Sequence, residues 1–409
     1  MANPTRGSEQ AECRVGLALA GGGPAGAIYE LGALRALEEA VDELDLNNLC
    51  VYVGVSAGAF ISANIANHLT TTQMCRAVLK YQPGDNPFVP ETFLTPAMNE
   101  WLRRGASVPR LFVESLWKYA RNPRDLTVVE SLMHLSRALP VGLFDNQPVA
   151  DYMERILQHP GRTNDFRELD KKLILVAADL DSGQSVRFGE APFDKVPISL
   201  AVQASTALPG LYPPVEIEGR HYVDGVLLKT MHASVALDAG ARLLFCLNPI
   251  VPVDTAQAVS EGVMKRGKLI HRGLPTVLSQ ALRTVIRSRL GAGFESYQEK
   301  YPEADVFLFE PPSDDYRMFF TNVFAFSSRV LILDHAYRAM RRQLLERQDE
   351  LAPALQRHGM RLRVDFLAEE ERTVWDSVGW QDRRGPHGVL NRLASALDRL
   401  EEEVEQRAS

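Results

Sequence analysis

Gly54-Val55-Ser56-Ala57-Gly58 is the segment of this chain whose residue types and spacing could do covalent chemistry. A GxSxG sequence set between an apolar run and a helical pattern makes a sharp strand-to-helix turn with the serine hydroxyl at its apex. Gly54 and Gly58 permit the close packing such a turn needs. A serine held there can attack an acyl carbonyl, with the dipole of the following helix aimed at the negative charge that develops. The plainer alternative is a glycine-rich turn whose Ser56 only caps the helix.

Gly21-Gly22-Gly23-Pro24-Ala25-Gly26 is the second such segment. It has the form GxGxxG after a strand, which invites a dinucleotide site. That fingerprint also asks for an acidic residue closing the next strand, and here the next strand runs into Ser56. The reading adopted is an oxyanion hole formed by the Gly21–Gly23 turn. Its donors are the N–H groups of Gly22 and Gly23 facing Ser56, because Pro24 has no N–H to give. A nucleotide site stands as the alternative.

A serine hydroxyl also needs a proton acceptor. His68 lies about three helical turns beyond Ser56 and points away from it. His221, His232, His271, His335, His358 and His387 lie downstream, none in a distinguishing setting. Asp224, in Tyr222-Val223-Asp224-Gly225, closes a short strand before a glycine turn, where an acid can be held rigidly. An aspartate that bonds only its own turn is the competing reading.

These residues require strands to carry them. Arg14 to Ala20 and Leu49 to Val55 are short apolar runs of the kind that buried parallel strands show. Each is followed by a helix pattern, first Ile28, Leu31, Leu34, Leu37 and Val41, then Ala57, Phe60, Ile61 and Ile65. The alternation predicts an α/β fold around a largely parallel sheet flanked by helices. Further strands are expected at 173–180, 185–188, 221–223, 243–247 and 306–309. Residues 81–140, interrupted by Pro83, Pro87, Pro90, Pro96, Pro109, Pro123 and Pro140, read as an insertion of helices and loops over the site. The expected organisation is a disordered tail over 1–13, a catalytic domain over 14–312 and a mainly helical extension over 313–409. In the last of these, Leu390, Leu393, Leu397, Leu400 and Val404 form a short coiled-coil-like seam. Docking on the protein's own body is the expected use of that seam, with homodimerisation as the alternative.

Composition narrows the class. The 409 residues are 45% hydrophobic and 24% charged, and the net charge of −7 argues against a nucleic-acid binder. Cys13, Cys50, Cys75 and Cys246 show no metal-ligand spacing. Cys50 and Cys246, inside apolar runs, read as buried free thiols, which suits a reducing, cytoplasmic setting. Met1 to Glu12 lacks the apolar core of a secretory signal, and no apolar stretch is long enough to span a membrane. Residues 262–290 are locally basic, with Leu274, Val277, Leu278, Ala281, Leu282, Val285 and Ile286 on one helical stripe and Arg283, Arg287 and Arg289 off it. A peripheral membrane contact and an ordinary core-facing helix both fit that pattern.

Three blocks, in this order, resemble those of the patatin-like phospholipase family: LALAGGGPAGAIYELGALRAL, GVSAGAFISANIA, and AVQASTALPGLYPPVEIEGRHYVDGVLLKT with ALDAGA beyond it. The resemblance covers about residues 14–250 and continues more faintly to about 312. It implies the family's three-layer fold and a Ser–Asp dyad without histidine. Ser56 would attack the ester, Asp224 would accept its proton and later activate water, and Gly21–Gly23 would hold the oxyanion, with no metal or cofactor. Lipid esters are the implied substrates, and acyl transfer or a catalytically silent interaction module are the alternatives. The chain departs from the family pattern in having Ala25 for a basic residue, Val226 after Asp-Gly, and Lys229 and Met231 where Asn and Pro often stand.

Overall fold

The computed structural model of the protein describes residues 14–79, 140–255, 273–312 and 326–379 apart from a few side chains. It adds short pieces at 95–98, 101–102, 259–260 and 268–271 and single residues at 104, 110, 114 and 315. Most of the 81–140 insertion and the seam at 390–404 lie outside the described residues.

Five strands form the parallel part of the sheet: β1 (Val15–Leu19), β3 (Val51–Val55), β4 (Lys172–Asp179), β8 (Leu243–Leu247) and β9 (Asp305–Phe309), in the order β4-β3-β1-β8-β9. Three antiparallel strands complete it beside β4: β5 (Ser185–Phe188), β6 (Val215–Ile217) and β7 (Arg220–Asp224). The fold is therefore α/β with a mixed, mostly parallel central sheet, as expected. β6, three residues long, carries too little pattern to be read from sequence. Strand β2 (Val41–Asp42) is separate and pairs with β10 (Arg361–Leu362).

Alternate residues of each strand enter different cores, because successive side chains point to opposite faces. Leu17, Leu19, Tyr52, Leu175 and Phe245 pack into one core with helices α1 (Gly23–Ala40), α2 (Ala57–Ala66), α3 (Thr71–Leu79) and α4 (Gln147–Leu157). Helix α5 (Ile198–Ser205) joins that core at its edge. Ala18, Val53, Val55, Val176 and Cys246 pack on the other side with α6 (Ala233–Asp238) and the buried edge of α7 (Leu274–Lys300).

The described part of the C-terminal extension completes the first core. Helix α8 (Phe326–Glu346) lies on α1, and Gly32 marks the closest approach, since a Cβ there would meet the Leu333 carbonyl and come within 3.0 Å of Ala336 Cβ. Arg35 fixes the far end by donating to Ser377 Oγ at 2.8 Å. Cys246 is a buried free thiol as expected, but Cys50 is held in a disulfide and is not the free thiol its apolar surroundings suggested. Among the described residues, no helix is long and apolar enough to cross a membrane.

Candidate active site

Strand register alone brings the first two features together. In the parallel pair β1–β3, Leu19 lies opposite Gly54. Two residues further along each chain, Gly21 and Ser56 come off the same C-terminal edge of the sheet, where open α/β folds place their ligands. A Cβ built on Gly21 would sit 3.2 Å from Ser56 Cβ. Asp224 arrives from the other side: it ends β7 opposite Ala177 of β4, one residue past the Val55–Val176 pair.

Ser56 has φ 54° and ψ −119°, a left-handed backbone that a non-glycine residue adopts only under constraint, at a cost of about 1–3 kcal/mol. The flanking glycines show what constrains it. A Cβ on Gly54 would lie 2.5 Å from the Gly58 carbonyl, and one on Gly58 would lie 2.5 Å from the Leu19 backbone. The helix thus begins against the strands with no space for side chains. Ser56 precedes α2 but makes no side-chain capping bond, so its hydroxyl is not used as a cap. Its N–H donates to Ser205 Oγ at 2.9 Å, and that hydroxyl in turn donates to the Val176 carbonyl at 2.6 Å.

Asp224 is buried beside Ser56 on the wall of the same cavity, and the Ser56 hydroxyl is near enough to pull its pKa down. Asp224 also accepts from the Val226 N–H at 2.9 Å, the bond that the turn-aspartate reading expects. Its own N–H donates to the Ala207 carbonyl at 2.9 Å. Gly225 is required behind it, where a Cβ would lie 2.5 Å from the Val176 carbonyl. Burial pushes the Asp224 carboxyl up to about 7, against the opposing pull of the Val226 N–H and the Ser56 hydroxyl.

The glycine turn faces the same point. Gly21 donates its N–H to the Thr230 carbonyl at 3.2 Å, so that N–H is already engaged. Gly22 is wedged: a Cβ there would lie 2.7 Å from both Gly26 Cα and Pro249 Cγ. Gly26 closes the turn by donating to the Gly22 carbonyl at 3.0 Å. Val226, which stands where the family has a small residue, is buried under the turn, with a methyl 3.2 Å from the Cβ position of Gly21. Ala57 is the first residue of α2, so its N–H has no partner within the helix.

Ser56 and Asp224 open into a cavity of about 420 Å³ walled mainly by Pro24, Ala27, Phe60, Val149, Leu208 and Tyr212. The sequence missed these walls and Ser205, although 203–215 lies within its third block. No histidine is among the described residues lining the cavity. His68 faces Asp170 at 3.5 Å, and His232 is buried with its pKa lowered to about 3 by that burial.

A family model described as Patatin-like phospholipase matches residues 17–237, more than half of the chain. The chain belongs to the patatin-like phospholipase family. The matched segment carries Ser56, Asp224 and the glycine turn. Among solved structures, this patatin-like chain is similar to VipD from Legionella pneumophila at 14% identity, over 88% of this chain and 81% of that one, with a TM-score of 0.33. It is similar to the type III effector protein ExoU of Pseudomonas aeruginosa at 17% identity, over 96% and 63%, with a TM-score of 0.34. For human GIVD cytosolic phospholipase A2 the figures are 14% identity, 62% and 43%, and 0.27. At TM-scores this low, the assignment rests on the family match.

Proposed function

We propose that this chain is a serine acyl hydrolase of lipid esters, of phospholipase A, lysophospholipase or carboxylesterase type. The observation that carries this reading is that Ser56, on its strained strand-to-helix turn, and a buried Asp224 line one apolar cavity. Asp224 takes the hydroxyl proton as Ser56 Oγ bonds to the ester carbonyl carbon. The carbonyl oxygen becomes an oxyanion, which the N–H groups of Gly22 and Gly23 and the helix α2 dipole stabilise. Collapse expels the alcohol, which takes the proton from Asp224 and leaves an acyl-serine. Water then attacks the acyl-serine while Asp224 accepts its proton, and the fatty acid leaves as Ser56 is restored. A carboxyl group at about 7 suits both proton transfers, since a general base works best with a pKa near the working pH.

The apolar cavity wall supports a lipid acyl group as substrate. The same acyl-serine could pass its acyl group to an alcohol in place of water, so acyl transfer is the second reading of the same site. A fluorophosphonate probe tests the assignment on wild type, Ser56→Ala and Asp224→Asn, alongside a panel of lipid and short-chain esters. Labelling of wild type alone or with weakened Asp224→Asn is expected. Equal labelling of Ser56→Ala would remove Ser56 from the site.

A further inference from the structure

A second cavity of about 440 Å³ adjoins the one at Ser56. Both are lined by Ala27 and Phe60, so at that point they stand on either side of the same two residues. The reason is helical spacing. Ser56, Phe60 and Asn64 follow one another at four-residue steps along α2, and Pro24, Ala27 and Leu31 at steps of three and four along α1, so each set shares a face. The two faces bound one groove. Its first part holds Ser56, and its second part, about 12 Å further along α2 at Asn64, is the second cavity.

The second cavity is walled largely by hydrocarbon, including Ile28, Leu31, Ile61, Met74 and Val78. Its polar groups are in part already engaged: Arg162 donates to the Ile156 carbonyl at 3.1 Å, and Asn64 Nδ2 donates to the Phe60 carbonyl at 2.8 Å. Asn64 Oδ1 is buried without a partner among the described residues. Phe60 itself stacks on Tyr152 of α4, ring centroids 5.8 Å apart, and Tyr152 lines the second cavity only. The residues common to both walls are thus the small Ala27 and the ring of Phe60.

We propose that the second cavity receives the far end of the substrate's acyl chain, which runs from Ser56 along the α1–α2 groove past Phe60. Phe60 is then the specificity-determining residue that divides short chains, held wholly beside Ser56, from long ones. This rests on the hydrolase reading above. Each methylene that a longer chain places inside the cavity is worth about fourfold in binding. The preference for long chains therefore rises steeply once the chain passes Phe60.

The test is a series of p-nitrophenyl esters from butanoyl to palmitoyl, which carry no phosphate, so a chain-length effect cannot come from an anion at Arg162. Ala77, on the wall of the second cavity and not of the first, is changed to Trp to fill it. Should Ala77→Trp not fold, Ala77→Cys alkylated after folding with N-phenylmaleimide fills the same space. The palmitoyl-to-butanoyl ratio of kcat/KM is expected to fall about tenfold or more with either block, and to rise in Phe60→Ala. An unchanged ratio in the blocked proteins overturns the inference. If wild type hydrolyses no ester of any length, the hydrolase reading has failed, and the cavity is judged by binding of free palmitate. Weaker binding in the blocked proteins then supports the site, and equal binding removes it.

Discussion

Ser205 Oγ accepts the backbone N–H of Ser56 at 2.9 Å while donating its own proton to the Val176 carbonyl at 2.6 Å. The proposed nucleophile, itself at positive φ, is thus tied through one buried hydroxyl to the strand beside it. Ser205→Ala leaves the Ser56 N–H buried without a partner, which typically costs about 1–3 kcal/mol. We expect that loss in urea unfolding, together with a fall in kcat that exceeds any change in KM. Unchanged kcat with reduced stability would make Ser205 a purely structural residue.

Gly22 and Gly23, the two proposed oxyanion donors, have different surroundings, so alanine separates them. At Gly22 the added methyl collides with Gly26 and Pro249 and displaces the turn, whereas at Gly23 nothing lies within 4 Å. Gly23 does have φ 60°, so its penalty is the conformational one of about 1 kcal/mol. Gly22→Ala should lower kcat by about 10²–10³, the usual effect of losing one oxyanion donor, and Gly23→Ala by much less. Steady-state kinetics on a short-chain ester checks both, and equal effects would count against the wedge at Gly22.

The pH dependence follows from Asp224. Its carboxyl must be ionised to accept the Ser56 proton, and burial places it at about 7. Below that value, kcat/KM should fall by about tenfold per pH unit, and above it should level off. A profile that is flat between pH 5 and 8 would show that another group takes the proton. Asp224→Asn should lose most activity at every pH, because an amide cannot serve as the base.

Much of this arrangement was legible in the residues. Buried parallel strands carry apolar side chains on both faces, so Leu243–Leu247 and Leu173–Leu180 read as nearly continuous runs, and the strands form at Leu243–Leu247 and Lys172–Asp179. GxSxG and the glycine turn are legible because their glycines answer to local contacts within a few residues or on the next strand. Ser205 was not, since a serine in a short apolar helix gives no sign of which distant N–H it meets. Gly32 likewise reads as an ordinary helix position until Leu333 is placed against it. Such long-range relationships leave no period in the sequence.

The stripe on α7 divides in the structure, and the division decides how a membrane contact can be tested. Ile286 and Leu290 are buried, while Leu274, Val277, Leu278 and Val285 are exposed. Arg283 donates to the Val251 carbonyl at 3.1 Å, Arg287 pairs with Glu310, and Arg289 donates to the Leu227 carbonyl at 3.2 Å. Reversing those charges would disturb the protein itself. Leu274→Gln with Leu278→Gln removes exposed apolar surface and leaves the arginines alone. If this face docks on membranes, sedimentation with anionic liposomes should fall severalfold in that variant. Equal sedimentation would mean that the exposed edge makes no such contact.

Stability should carry the mark of the same buried carboxyl that governs the rate. An acid whose folded pKa is raised keeps its proton over a range in which the unfolded chain has already lost it. Its contribution to stability is therefore full below the unfolded value near 4 and declines as pH rises toward the folded value of about 7. Three pH units correspond to about 4 kcal/mol, most of it lost between pH 5 and 8. Asp224→Asn removes the titration and keeps a side-chain oxygen for the Val226 N–H. Urea unfolding of both proteins at the two pH values should show the Asn variant gaining about 2–3 kcal/mol on wild type from pH 5 to pH 8. A difference that stays constant with pH would mean that Asp224 ionises in the folded protein as easily as in water, and the argument for a poised base would go with it.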